Sequence, residues 1–250
     1  MLIDDIEALV RECGNIMLNA DRSAIRVTTK GGEANFVTDY DMRIQQKLKA
    51  GLLELLPRAQ FIGEEDELQK SLKDGYVFIV DPIDGTTNFI KDYHMSCISV
   101  GLVKDGKPYI GVVHNPYFDE TFTAKEGEGA FLNGDPIRVS DEELQNGIVL
   151  LGTSPYYSEL REKALKLAGR YMEKALDIRR SGSAAIDLCT IACGRAELFF
   201  ELKLSPWDYA AGALIVKEAG GYVCQPDGSD IVFDRPCGVV AANMRASILL

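Results

Sequence analysis

The chain has 250 residues, 46% of them hydrophobic and 26% charged, which is enough for one large domain or two closely packed lobes. Its 38 acidic residues outnumber its 27 Lys and Arg residues, and the net charge of −11 argues against a general nucleic-acid binder, which needs a basic surface. No apolar run approaches the roughly 18 residues that cross a bilayer, and the acidic N-terminus does not resemble a signal peptide. We therefore expect a cytoplasmic protein without membrane contact.

The first third of the chain contains two helical patterns followed by two short apolar runs. Apolar residues at helical spacing predict a helix over residues 3–17 and a second helix over residues 44–55, closed by Pro57. The apolar runs 61–63 and 77–80 predict buried strands, and both runs are followed directly by acidic residues.

Hairpin patterns dominate the middle of the chain, and strands alternate with helices after residue 148. Turns at Asp105-Gly106 and Asn133-Gly134 predict an antiparallel meander. We expect helices packed on sheets in layers, in an N-terminal lobe of residues 1–145 and a C-terminal lobe of residues 146–250. The predicted strands cover residues 96–103, 109–115, 121–124, 130–132, 148–152, 177–179, 196–200, 221–224 and 239–242, and the predicted helices cover residues 158–171, 183–193 and 205–219.

The six cysteines lack the spacing of a metal site or a redox pair. None forms a C-x-x-C pair, and Cys189 and Cys193 share a helix face without a second ligand pair. A chain of this length can bury a sufficient core without disulfides, so we expect reduced and mostly buried thiols.

Acidic residues stand at the ends of the two predicted strands of the first third. Glu64 follows one strand and Asp81 the other, and Asp84 comes three residues later. Pro82 fixes the backbone between the two aspartates, so both carboxylates and the Ile83 carbonyl can converge on one point. Hard oxygen ligands of this kind suit Mg²⁺ or Mn²⁺, and bound metal would offset the acidic charge for an anionic substrate.

The stretch Gly85-Thr86-Thr87 is typical of an anion-binding turn. It provides backbone N–H groups and two hydroxyls, and could open a helix toward Phe89. Simpler interpretations remain for the neighbouring acids. Asp84-Gly85 is also a common turn, Asp41 and Asp208 fit capping boxes at helix starts, and Glu201 could be a surface acid.

Six motifs in order give the chain a resemblance to the inositol monophosphatase family. The resemblance covers nearly the whole sequence, and the two longest motifs resemble the two signatures of that family. The motifs are V-T-D-Y-D (37–41), I-G-E-E (62–65), D-P-I-D-G-T-T-N-F (81–89), G-S-A-A (182–185), W-D-Y-A-A-G (207–212) and E-A-G-G (218–221).

The resemblance implies a five-layer αβαβα sandwich and metal-assisted hydrolysis of a phosphate monoester. It implies a first Mg²⁺ held by Glu64, Asp81 and the Ile83 carbonyl, and a second held by Asp81, Asp84 and Asp208. A weaker third ion would involve Glu64, and Mn²⁺ is a plausible substitute. The family further implies inhibition by lithium and a homodimer.

The resemblance also implies roles for residues around the metal ligands. Thr86, paired with Asp41, would orient the water that attacks phosphorus, with Glu64 as a further catalytic residue. The Gly85 and Thr86 amides would hold the phosphate oxygens. The substrate-binding residues implied by the family are Asp84, Ala184, Glu201 and Asp208.

Glu201 and Ala184 favour inositol monophosphate as the substrate, because both match family positions near the sugar ring. An alternative is fructose 1,6-bisphosphate or a dual-specificity sugar phosphatase. In that case a second phosphate would be held by residues from the set Tyr156, Tyr157, Arg179 and Arg180, although the two arginines could equally be surface charges.

Two further alternatives belong to other classes. A haloacid-dehalogenase-type phosphatase would use Asp39 as its nucleophile, but Arg43 stands where that motif requires Thr or Val. A non-catalytic family member would bind metal or a protein partner, although every expected ligand is present.

Overall fold

Two β-sheets separate three layers of helices in the computed structural model, which describes residues 1–29, 36–65 and 75–246. The helices among these residues are α1 (Leu2–Leu18), α2 (Asp39–Leu55), α3 (Thr86–Ile90), α4 (Arg161–Met172), α5 (Ala184–Ala192) and α6 (Pro206–Glu218). Short 3-10 turns lie at Leu144–Asn146 and Ser158–Leu160. The helix predicted over residues 158–171 therefore begins as a 3-10 turn and continues as α4.

A seven-stranded sheet forms the first β layer, in the order β3-β4-β5-β6-β7-β8-β9. Strands β3 and β4 are parallel, and the other neighbours pair antiparallel. Its strands are β3 (Gln60–Gly63), β4 (Tyr76–Asp84), β5 (Cys97–Lys104), β6 (Lys107–Asn115), β7 (Glu120–Lys125), β8 (Gly129–Leu132) and β9 (Asp135–Ile137). A separate pair, β1 (Val27–Thr29) and β2 (Phe36–Thr38), precedes α2.

A five-stranded sheet forms the second β layer, in the order β11-β10-β12-β14-β13. Strand β10 is parallel to both of its neighbours, and β14 is antiparallel to both of its own. The strands are β10 (Ile148–Leu151), β11 (Asp177–Arg179), β12 (Leu198–Leu204), β13 (Tyr222–Cys224) and β14 (Cys237–Ala242).

The order of the layers confirms the expected αβαβα sandwich. Helices α1 and α2 pack on one face of the first sheet, α5 and α6 lie between the two sheets, and α4 covers the second sheet. Three apolar cores correspond to these junctions, and the largest lies around α5 and α6. The sheets divide near the predicted boundary at residue 145, but α6 packs on the first sheet, so the division into two lobes stays a prediction.

Helix α6 approaches the first sheet closely because two glycines leave room for its backbone. A Cβ atom at Gly101 would lie 2.9 Å from the Ala210 Cβ, and one at Gly111 would lie 2.7 Å from the Ala211 carbonyl oxygen. Both distances are shorter than a normal van der Waals contact, so a larger residue would push the helix away. Since Asp208 stands in the first turn of α6, this packing sets its position relative to the sheet.

The structure confirms the free thiols and differs from the sequence prediction in the extent of several strands. All six cysteines are free, and five of them are buried. Strand β4 continues to Asp84 instead of ending at Val80, because it pairs with β5 up to Asp84 opposite Cys97, with an irregularity between Asp81 and Asp84. No helix in the described ranges is both long and apolar enough to cross a membrane.

Candidate active site

A cavity of about 460 Å³ opens where the end of β4, the start of α3 and the first turns of α5 and α6 meet. The described part of its wall contains only two basic residues, Arg180 and Lys203, against six acidic ones. This imbalance makes the cavity strongly electronegative. The acidic residues of the wall are Glu64, Asp81, Asp84, Asp187, Glu201 and Asp208.

Three aspartates converge in this cavity. One carboxylate oxygen from each of Asp81, Asp84 and Asp208 lies within 4.8 Å of the other two. Asp81 and Asp84 come from β4, and Asp208 comes from the start of α6, more than 100 residues later in the chain. The fold therefore assembles an all-oxygen group from both long signature motifs.

Hydrogen bonds orient each aspartate through one carboxylate oxygen. Asp81 accepts the Ile83 N–H at 3.0 Å, and Asp208 accepts the Ser205 N–H at 2.7 Å. Asp84 accepts the Ser183 hydroxyl at 2.6 Å and the Ala185 N–H at 2.7 Å, both from the start of α5. Such bonds fix the carboxylates in place before any ligand arrives.

Burial and mutual repulsion make these carboxyls hard to ionise together. Burial, followed by the charges of Glu64 and Asp84, raises the pKa of Asp81 well above its ordinary value. Burial, followed by the charge of Asp84, does the same to the pKa of Asp208. Burial also raises the pKa of Asp84 to about 6, although the Ser183 hydroxyl and the Ala185 N–H lower it.

The same group of residues fits a divalent cation. A cation between the aspartates would supply the positive charge that the wall lacks and would stabilise the ionised carboxylates. An all-oxygen donor set suits a hard ion and argues against zinc or copper, which prefer nitrogen and sulfur ligands.

Glu64 and Ile83 line the same cavity but lie outside the group of three carboxylates. Glu64 directly follows β3, and its N–H donates to the Val80 carbonyl at 3.0 Å, which ties it to β4. Its charge raises the pKa of Asp81, so it is electrostatically part of the cluster. The Ile83 carbonyl accepts the Thr86 hydroxyl at 3.1 Å.

Thr86 also faces Asp41, its expected partner. The Thr86 hydroxyl lies 3.4 Å from the nearer Asp41 oxygen. The other Asp41 oxygen accepts the Thr38 N–H at 2.8 Å and the Thr38 hydroxyl, as in a capping box. Burial raises the pKa of Asp41 to about 7 despite these bonds. Asp41 is therefore both a helix cap and a neighbour of Thr86, and Asp208 likewise caps α6 and joins the cluster.

Gly85 allows the chain to turn from β4 into α3. Its φ is +86°, and a Cβ atom there would lie 2.8 Å from the Met95 carbonyl oxygen. Asn88 holds the turn in place, because its side-chain amide donates to the Met95 carbonyl at 2.7 Å and the Ser181 carbonyl at 3.0 Å. Gly85, Thr86 and Asn88 all line the cavity. The predicted helix toward Phe89 is α3.

The remainder of the wall comes from the C-terminal part of the chain. Ala184 and Glu201 both line the cavity, and Glu201 accepts the Ser154 N–H at 2.7 Å. Burial raises the pKa of Glu201 to about 7, while the bond from Ser154 and the charge of Arg180 lower it. Glu201 is 8% exposed, so the interpretation as a surface acid is wrong.

The structure separates the residues considered for a second phosphate. Arg180 lines the cavity together with Tyr156 and Tyr157, whereas Arg179 is absent from the described lining and pairs with Asp177 on the surface. Lys203, which the sequence did not single out, also lines the cavity, and its ammonium lies 3.9 Å from the centre of the Tyr157 ring.

Sequence reasoning also missed Asp187, a buried acid in the cavity wall. Its only signal is an isolated acid in the apolar run Ala184-Ala185-Ile186-Asp187-Leu188-Cys189. Asp39, in contrast, is exposed at the start of α2, and its carboxylate accepts the Arg26 N–H at 3.1 Å. It is not among the described lining residues, which argues against the haloacid-dehalogenase alternative.

Comparisons with known proteins find matches over almost the entire chain. The family model described as "Inositol monophosphatase family" matches residues 2–249. "Inositol monophosphatase 2" of Solanum lycopersicum is 42% identical in an alignment that covers 95% of this chain and 91% of the tomato protein.

Proteins with a different name also match. "Nus factor SuhB" of Xylella fastidiosa is 36% identical, over 93% of this chain and 90% of that protein. Among solved structures, an IMPase of Thermotoga maritima superposes with a TM-score of 0.87 at 32% identity, covering 97% of this chain and 92% of its own.

Proposed function

The chain belongs to the inositol monophosphatase family, and from that premise we propose that it hydrolyses myo-inositol monophosphate to inositol and phosphate. The observation that carries the proposal is the convergence of three buried aspartate carboxylates within 4.8 Å of one another, beside the turn that opens α3. The similarity to the tomato protein supports inositol phosphate in particular.

We assign two to three Mg²⁺ ions to this cluster, with Mn²⁺ as a substitute. Asp81, Asp84 and Asp208 would hold them, with Glu64 and the Ile83 carbonyl as further ligands from the cavity wall. When bound, Mg²⁺ would acidify water and neutralise charge on the leaving oxygen. As in the family, we expect inhibition by lithium.

The remaining residues of the turn would position the reactants. The Thr86 hydroxyl lies between the Ile83 carbonyl and Asp41, so it can orient a water molecule while Asp41 takes up a proton. Burial raises the pKa of Asp41 to about 7 in the metal-free protein, so this carboxyl binds a proton more readily than an exposed one. The Gly85 and Thr86 N–H groups would hold phosphate oxygens.

The inositol ring would bind against the wall that contains Ala184 and Glu201. The Glu201 carboxylate is oriented by Ser154 and can accept hydrogen bonds from ring hydroxyls. Asp84 and Asp208 lie in the same cavity and would contact the ester side of the substrate.

Phosphate release from a substrate panel with Mg²⁺ tests the proposal. The panel contains inositol 1-phosphate, fructose 1,6-bisphosphate, histidinol phosphate and adenosine 3',5'-bisphosphate. We expect the highest kcat/KM for inositol 1-phosphate. A preference for any other member would refute inositol phosphate as the substrate, even if the reaction proved to be metal-dependent.

Fructose 1,6-bisphosphate is the second candidate substrate because Arg180 and Lys203 give the wall two cations that could bind a second phosphate. If this candidate is correct, Arg180→Gln will lower the kcat/KM for the bisphosphate by about tenfold or more, as expected for a lost charged hydrogen bond. Arg179→Gln is the matched control, since Arg179 pairs with Asp177 on the surface. Equal effects of the two substitutions would remove the candidate.

A non-catalytic, metal-binding or protein-binding role is the alternative of another class. The similarity to a protein named Nus factor SuhB favours keeping it in the test. This role predicts that Mg²⁺ binds, as detected by calorimetry, while no phosphate is released from any member of the panel.

We also expect a cytoplasmic homodimer, as the family resemblance implies. One chain has a mass of 27.5 kDa. Size-exclusion chromatography with light scattering should therefore give twice that mass. The mass of a monomer at all concentrations would contradict the dimer.

A further inference from the structure

Helix α5 places an acid in the cavity wall that the proposed function leaves without a role. The Asp187 side chain is 3% exposed and lines the cavity. We propose that Asp187 determines which phosphate esters the protein accepts, because its carboxyl binds hydroxyl groups of the alcohol that is released from the phosphate. The inference rests on the proposed function and extends it to the distal part of the substrate.

A buried acid at this position lowers the stability of the folded protein, and a role in binding substrate would explain its presence. Its neighbours on α5, from Ala184 to Cys189, are all buried. Burial raises the pKa of Asp187 well above its ordinary value, and the lowering by a hydrogen bond with the Ser181 side chain and by the charge of Arg180 is smaller. A residue that only filled space here would be more stable as an apolar side chain.

The start of α5 does not require Asp187. Ser183 caps the helix, since its hydroxyl oxygen accepts the Ile186 N–H at 3.3 Å. The Asp187 N–H donates within the backbone to the Ser183 carbonyl at 3.1 Å. The cap of α5 is therefore made by Ser183, and the Asp187 carboxyl, which hydrogen-bonds with the Ser181 side chain, does not take part in it.

Asp187 shares the cavity wall with two residues that are already assigned to binding the inositol ring. Asp187 lies three residues after Ala184, so both lie on one face of α5, and both line the cavity. Glu201, from β12, lines the same cavity, and its charge raises the pKa of Asp187. Ala184, Asp187 and Glu201 thus form one stretch of wall with two hydroxyl acceptors.

Two carboxyl groups in one wall suit a polyol. Each can accept a hydrogen bond from a ring hydroxyl, and neighbouring hydroxyls can engage both carboxyls. An alcohol without such hydroxyls would leave a buried carboxyl unpaired, and sites built for hydroxyls reject such analogues strongly. The wall therefore selects for the leaving alcohol and not for the phosphate.

A comparison of two substrates separates this role from a structural one. We would measure kcat/KM with Mg²⁺ for inositol 1-phosphate and for p-nitrophenyl phosphate, whose leaving group has no further hydroxyl. Asp187→Ala and Asp187→Ser, which remove the carboxyl acceptor, should lower the value for inositol 1-phosphate by about tenfold or more, as expected for a lost hydrogen bond between a ring hydroxyl and a buried carboxyl. The value for p-nitrophenyl phosphate should not fall, because its leaving group has no hydroxyl for Asp187 to bind.

Glu197→Gln is the matched control. Glu197 is also a buried acid, but it accepts the Ser140 hydroxyl at 2.8 Å and the Ile148 N–H, and it is not part of the described cavity wall. We expect this variant to change the values for both substrates by the same factor. Two Asp187 variants are used so that poor folding of one does not end the test.

The outcomes distinguish the inference from the proposed function. An equal fall for both substrates in the Asp187 variants, or no fall in either, overturns the inference while wild-type turnover upholds the function. Failure of the wild-type protein to release phosphate from inositol 1-phosphate overturns the proposed function and the inference that depends on it.

Discussion

Asp208 belongs to two structures at once, a helix cap and the carboxylate cluster. One of its oxygens accepts the Ser205 N–H at 2.7 Å, and one lies in the group with Asp81 and Asp84. Asp41 combines a cap at Thr38 with its position beside Thr86 in the same way. The local sequence pattern of a capping box is identical in both uses, so sequence alone left the choice open.

Asp208→Asn should separate the two uses. The amide oxygen of Asn can still accept the Ser205 N–H, so the helix cap is kept. The substitution also removes one negative charge from a group of carboxylates that repel one another. We predict that the metal-free variant is at least as stable as metal-free wild type, and that Mg²⁺ no longer raises its melting temperature. A wild-type-like increase of the melting temperature with Mg²⁺ would remove Asp208 from the metal site.

Helix α6 packs between the two sheets and carries Asp208 of the carboxylate cluster in its first turn, and its placement depends on Gly101 and Gly111.

The sequence predicted the long elements well because their apolar patterns are long. It missed β1, β2 and β9, each of only three residues, because so short a run has no readable period. It could not show that α6 would pack on the first sheet, since that contact joins distant parts of the chain.

Gly111→Ala tests this link between packing and the site. Its Cβ would lie 2.7 Å from the Ala211 carbonyl oxygen, so α6 must shift. We predict a loss of about 1–3 kcal/mol in the free energy of unfolding, as for other overpacked positions, together with weaker Mg²⁺ binding because Asp208 moves with the helix.

Gly169→Ala is the control for that substitution. Gly169 lies in α4, and a Cβ atom there would meet nothing within 4 Å. This change should stabilise the protein by about 0.5–1 kcal/mol and leave Mg²⁺ binding unchanged. If Gly111→Ala bound Mg²⁺ as tightly as Gly169→Ala, the close packing of α6 would not position the cluster.

Across the described part of the molecule, four of the six buried acidic residues line one cavity. The motifs of the sequence indicated Asp81, Asp84, Asp208, Glu64 and Thr86, and the family resemblance indicated Glu201; all of these residues line that cavity. Asp187, Lys203 and Ser154 could not be found in this way, because none of them lies in one of the six motifs. Their relation to the site arises from tertiary structure alone.

The concentration of buried acids predicts an unusual pH dependence for the metal-free protein. The pKa is raised to about 7 for Asp41 and Glu201 and to about 6 for Asp84, above ordinary values of 3.8 to 4.5. The folded state therefore keeps protons that the unfolded chain releases. This contribution to stability is complete below about pH 4 and is lost as the pH rises toward 7, by about 1.4 kcal/mol for each unit of pKa difference.

One buried group acts in the opposite direction. Burial lowers the pKa of His114 from 6.5 to about 4, so this residue adds stability as the pH rises through that range. A single histidine is outweighed by several carboxyls. Urea unfolding in EDTA should give a lower midpoint at pH 7.5 than at pH 5, and Mg²⁺ should reverse the difference. A midpoint in EDTA that rises between pH 5 and 7.5 would contradict the assignment.

The central claim, a metal-dependent phosphatase built on the aspartate cluster, is tested most directly by phosphate release from inositol 1-phosphate. The measurement compares wild type in Mg²⁺, in EDTA and after Mg²⁺ is restored, alongside Asp81→Asn, whose fold is verified by circular dichroism. We predict release by wild type in Mg²⁺, none in EDTA, full recovery with Mg²⁺, and none from folded Asp81→Asn. Release that persists in EDTA, or that Asp81→Asn retains, would contradict the account.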